Sequence, residues 1–160
     1  MKASWTTGFS FGLTSGIITT LGLIVGLHAG THSRVVVLGG ILTIAISDAM
    51  SDALGIHISQ ETTNSVSARH VWEATLATFL SKFLIAMTFV FPLVLYPVSK
   101  AVIISVIWGW FLLSGLSYFV ARAQSIPPWR PIIEHMIIAC LVVAISYAIG
   151  FWIRDSFPMD

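Results

Sequence analysis

Between Lys2 and Arg34 the chain carries no Lys, Arg, Asp or Glu. A helix needs roughly 20 apolar residues to cross a bilayer, and this run exceeds that. Comparable runs recur along the sequence and place spans at residues 5–30, 35–59, 71–97, 101–121 and 132–153. The polar stretch SQETTNSVSARH over residues 59–70 and the proline-rich RAQSIPPWRP over 122–131 separate them. Pro92, near the exit of the third span, is tolerated in lipid and kinks its helix. The expected fold is all-α and integral to the membrane: one domain over residues 1–160 with five transmembrane helices and the lipid bilayer as its first partner. Lys2 is followed by a run too long and too rich in glycine and threonine for a cleavable signal peptide.

Composition agrees and removes other classes. Charged residues make up 9% and hydrophobic ones 56% of the 160, whereas about a quarter of a soluble domain is charged. The net charge is +1 with no basic run, so no nucleic acid is expected as a partner. The single cysteine, Cys140, forms no intrachain disulfide. Lys2, Arg69, Arg122 and Arg130 fall on one side of five spans, and Arg34, Lys100 and Arg154 on the other. This small excess favours an N-terminus inside.

The first span is punctuated by two four-residue glycine ladders, Gly8-Gly12-Gly16 and Gly22-Gly26-Gly30. On a helical wheel Gly8, Gly12, Ser15, Thr19, Gly22 and Gly26 share a face about 80° wide. Small residues at this spacing let helix backbones approach closely in lipid. The reading here is that helix 1 packs on helix 2 through this face, within one subunit or across a homodimer seam.

The second span holds two carboxylates, Asp48 and Asp52, four residues apart and therefore on one helical face. Ile41, Ala45, Gly55 and Ser59 are expected on that face, with Met50, His57 and Glu61 nearly opposite. An aspartate near the centre of a bilayer costs about 2.5–3.5 kcal/mol on insertion scales, so a pair demands a partner. A divalent cation relieves both the repulsion and the missing hydration, and so do protons. The candidate metal ligands are thus Asp48 and Asp52, with the Ser15 and Thr19 hydroxyls as auxiliary oxygens from helix 1. The competing reading is structural: both acids pair with Lys82, which lies well inside the third span. Glu73, Glu134 and His135 sit near helix ends, where solvated charges are ordinary, and Met50, Met87 and Met136 read as packing residues.

The runs GLTSGIITTLGLIVGL (12–27) and ISDAMSDALGIHIS (46–59) resemble the first two helices of the vacuolar iron transporter family. FPLVLYP (91–97) and IIACLVVAISYAIG (137–150) resemble its third and fifth helices, so the resemblance spans nearly the whole chain. It implies a five-helix, two-fold homodimer exporting Fe²⁺ or Mn²⁺ from the cytoplasm against protons. The departures are specific. Ser15 stands where the family has an aspartate before Gly16, and Asp52 where it has a methionine after Ser51. Asp48 is an added acid, and residues 59–70 are too short for the family's cytoplasmic metal-binding helices. With the thioether gone, oxygen-loving Mn²⁺ or Fe²⁺ is favoured over soft Cu(I).

The leading reading is therefore a divalent-cation carrier, its metal a cargo and no cofactor tightly bound. The alternative is a non-transporting membrane assembly protein whose aspartates pair with Lys82. An enzyme is not expected, because no His-Glu-x-x-His, Ser/Lys dyad or paired nucleophile and base at helical spacing is present.

Overall fold

The computed structural model describes residues 2–63 and 66–157, and every described element is a helix. In chain order these are α1 (Lys2–Thr31), α2 (Arg34–Glu61), α3 (Ala68–Thr88), α4 (Val90–Leu95), α5 (Val98–Ala123) and α6 (Trp129–Ser156). With α3 and α4 taken together, five helices are long and apolar enough to cross a membrane. The expected all-α architecture, with five helices long and apolar enough to span, is thus the one observed.

The boundaries follow from local chemistry. Ser33 caps α2, its hydroxyl accepting from the Val36 N–H, and Ser67 caps α3 by accepting from the His70 N–H. Pro97 and Pro128 immediately precede α5 and α6, where a missing N–H costs no helical bond. The third span, expected over 71–97 with a kink at Pro92, lapses at one residue, Phe89, whose φ of −76° and ψ of −12° stay in the helical region. Pro92 cannot donate to the Thr88 carbonyl one turn earlier, and the helix is interrupted at Phe89 before α4 resumes.

At the centre stands α1, which packs against α2, α3, α5 and α6. Its glycines explain how it serves so many neighbours, and they correct the sequence expectation. A Cβ on Gly8 would lie 2.2 Å from the Ala74 carbonyl oxygen, and one on Gly12 would lie 2.1 Å from Ser81 Oγ. On Gly16 it would meet Ile85 and Lys82. The lower ladder is therefore spent on α3. The upper ladder faces α6: added Cβ atoms at Gly22, Gly26 and Gly30 meet Val142, Ser146 and Gly150. Reciprocally, a Cβ on Gly150 would come within 2.2 Å of the Gly26 carbonyl oxygen. None of these six glycines faces α2, so the expected α1–α2 glycine seam is not formed. One wheel face is shared out by height between two helices that run parallel to α1.

The second helix uses a different ridge. Val37, Ile41, Ala45, Ala49 and Ala53 are its buried residues, a strict four-residue repeat. Gly55 and Ser59, expected on the inner face, are exposed instead. They belong to an outer ladder of small residues, Gly39, Thr43, Ser47, Ser51, Gly55 and Ser59, all exposed. A Cβ at Gly39 or Gly55 would meet nothing within 4 Å.

These two kinds of glycine predict opposite mutational outcomes. Gly12→Ala should destabilise the protomer by about 1–3 kcal/mol through overpacking. Gly39→Ala should be neutral or stabilising, since Ala gains up to about 1 kcal/mol of helix propensity over Gly. Thermal unfolding of the two variants in mild detergent checks both; equal losses would contradict the packing described.

Candidate functional site

The four-residue spacing of Asp48 and Asp52 sets them one turn apart on α2, and α3 brings the countercharge. Because α3 runs beside α1 through the lower glycine ladder, Lys82 arrives level with Ser15 and Asp52. The Lys82 side chain is 3% exposed. Its Nζ stands 2.6 Å from Asp48 Oδ2, is ion-paired with Asp52 Oδ2, and donates to Ser15 Oγ at 2.9 Å. Ser15 in turn donates its proton to Asp52 Oδ2 at 2.6 Å. Three helices thus meet in one charged cluster: Ser15 from α1, both aspartates from α2 and Lys82 from α3.

Burial within the cluster is uneven. The side chains of Asp48 and Asp52 keep 30% and 22% of their surface exposed, on the outer flank of α2, while the ammonium faces inward. The charge count is also uneven, two carboxylates to one ammonium. Around the cluster the other hydroxyls are turned to their own helix: Thr78 donates to the Ala74 carbonyl and Ser81 to that of Ala77. They compete for neither Lys82 nor the acids, so Ser15 is the hydroxyl in the network.

The sequence-derived candidates are therefore partly assembled. Asp48, Asp52 and Ser15 are together. Thr19, one turn beyond Ser15, makes no hydrogen bond to the cluster. Lys82 occupies the point between the carboxylates, as the structural alternative requires. Among the described residues no group of three or more His, Cys, Asp or Glu is positioned to hold a metal ion. Two carboxylates and a hydroxyl are a hard-oxygen set suited to Mn²⁺ or Fe²⁺, but they form an incomplete shell.

The outlying candidates separate from this cluster. His57 Nδ1 pairs with Thr75 Oγ1 at 3.0 Å, and its ring packs edge-on against Trp72. Its Nε2 lies 3.5 Å from Glu61. That is an α2–α3 contact one helix end away from the acids, as its wheel position implied. His135 Nδ1 donates at 2.7 Å to Ser117 Oγ, whose own proton goes to the Leu113 carbonyl. Glu73 is no free solvated charge: it accepts from Ser4 of α1 at 2.7 Å and from Arg69 at 2.9 Å. The Ser4–Glu73 link was not legible in the sequence, because nothing local announces which serine a helix-end acid will meet. Comparison with family models, curated proteins and solved structures finds no match for this chain.

Ser15 both donates to Asp52 and accepts from Lys82, so its loss removes a hydrogen bond from each while their ion pairs remain. Ser15→Ala should destabilise the protein by about 1.5–3 kcal/mol, the scale of a lost hydrogen bond to a charged group. Thr19→Ala, outside the network, should cost less than half as much. Denaturation of the two variants side by side checks the assignment.

Proposed function

We propose that the protein is a multi-pass membrane carrier of a divalent cation, Fe²⁺ or Mn²⁺, exchanged for protons at the Asp48–Asp52 pair. The observation that carries this reading is the surplus negative charge. Two carboxylates share one ammonium at a depth where an uncompensated charge is expensive, and both keep an exposed flank on α2. In this reading Lys82 is the resident counter-ion that holds the empty site together, and the cargo competes with it for the acids. Protons compete as well, so cation affinity falls as the medium becomes more acidic. Export from the cytoplasm with a cytoplasmic N-terminus is what the family resemblance implies.

The incomplete ligand shell favours a two-fold homodimer. A second copy seated on the outer ladder of α2 would cover the exposed carboxylate flanks and bring four acids to one axis. The open space at Gly39 and Gly55 admits a close approach, and the α1 glycines, occupied within the protomer, leave α2 as the seam. In a Cys140→Ser background, Ser51→Cys should form an intermolecular disulfide in native membranes.

A second reading rests on one specific observation: Lys82 already reaches both aspartates and Ser15. In that case the cluster is a static pin in an assembly protein, and breaking it costs about 3–5 kcal/mol with no remedy. Lys82→Met separates the two. For a carrier, Mn²⁺ restores much of the lost thermal stability and stabilises the mutant more than the wild type, since ligand binding to the folded state is linked to its stability. For a static pin, Mn²⁺ has no effect on either. In proteoliposomes with a pH gradient, Mn²⁺ uptake should fall at least tenfold in the Asp48→Asn, Asp52→Asn double variant. Undiminished uptake by that variant would end the carrier reading.

A further inference from the structure

At the opposite end of α1 from Ser4, a second polar cluster ties α1 to α6. The helix ends at Thr31, and His32 follows with φ of 52°, a left-handed conformation that non-glycine residues adopt at a cost. The side chain offsets that cost. His32 Nδ1 lies 2.6 Å from the His28 carbonyl oxygen, and its ring stacks on that of His28 with centroids 5.0 Å apart. A carbonyl can only accept, so Nδ1 carries the proton and Nε2 of the neutral ring has a free lone pair. Arg154 of α6 uses it: Nη1 donates to His32 Nε2 at 2.8 Å, and its guanidinium also lies over the Phe151 ring.

The geometry has one consequence for protonation. A second proton on His32 can go only to Nε2, which turns the acceptor into a donor pointing at a guanidinium. The hydrogen bond is then replaced by repulsion between two cations. Among the described residues the titratable and charged groups in contact with the ring are His28 on its own helix and Arg154 on α6, while Asp155, next to Arg154, forms no ion pair with them. Arg34 of α2 is directed elsewhere, to the Val94 carbonyl. Among the described residues no carboxylate pairs with His28, His32 or Arg154 to absorb the added charge. His28 offers no relief, because its Nε2 is buried without a partner. His32 itself is exposed and open to the aqueous phase.

We propose that His32 and Arg154 form an acid-sensitive latch between the C-terminal ends of α1 and α6, closed while the imidazole is neutral and released when it is protonated. Below the latch the helices stay joined by the Gly26–Gly150 contact, so release frees only the last turns of α6. The device senses the compartment into which both C-terminal ends project. It stands apart from the Asp48–Asp52 cluster and does not depend on what that cluster carries.

Hydrogen–deuterium exchange of residues 150–157 tests it, with the full chain in detergent micelles and intrinsic exchange rates divided out. Between about pH 8 and about pH 5, which bracket ordinary histidine titration, wild-type protection should fall. The expected drop is about tenfold, the scale of one lost hydrogen bond to a charged group. His32→Gln keeps an acceptor toward Arg154 at every pH and should hold its protection constant. Arg154→Met should show low protection at both values, and His28→Gln should retain the wild-type response. Equal wild-type protection at both pH values would overturn the latch. So would a pH response that survives Arg154→Met or His32→Gln, or one abolished by His28→Gln.

Discussion

The ammonium of Lys82 is the interaction on which the bundle's interior depends. An ammonium this buried needs a countercharge beside it, and the two carboxylates need one in turn. The requirement is mutual, and it fixes three helices at once. Ser15 must sit on α1 where it can pass one hydrogen bond each way, α2 must present its acids inward, and α3 must be raised so that position 82 is level with them. Hydrophobic packing in lipid offers no comparable specification, because lipid tails are as apolar as the leucines they meet.

What sets that level is the lower glycine ladder of α1. With no side chains at Gly8 and Gly12, the α3 backbone comes within van der Waals reach of α1. The close approach is what lets a side chain of lysine length span from α3 to α2 past Ser15. A single methyl group at Gly12 would press on α3 at Thr78 and Ser81 and disturb the contacts that Lys82 makes across to α1 and α2. Packing and electrostatics are here the same constraint seen from two sides.

The spans themselves were legible because bilayer thickness translates directly into a length of uncharged chain. The facing of Asp48 and Asp52 was legible because a four-residue spacing has one meaning on a helix. The destination of the α1 glycines was not. A small-residue face shows that some backbone will come close, but which one depends on how the helices are ordered around α1. For the same reason Lys82 could be identified as a possible partner but not assigned: its reach depends on the relative heights of α2 and α3. The break at Phe89 was half visible. Pro92 announced a kink, while the hydrogen bonds beside it, from the Thr88 hydroxyl back to the Ile85 carbonyl and from Trp108 Nε1 to that hydroxyl, carried no local signal.

That break divides the third span between two sets of neighbours. Below it, α3 belongs with α1 and α2; above it, α4 packs chiefly on α5 and lends its Val94 carbonyl to Arg34. A rigid rod through the bilayer would transmit any tilt from one face to the other. Here both lengths are held to the same neighbour: Lys82 fixes the lower one to the acids of α2, and Arg34 of α2 holds the upper one at Val94. The hydrogen bond from Trp108 to Thr88 joins α5 to the end of α3 beside Phe89. The helix that carries the two acids is thereby fastened to the third span on both sides of Phe89.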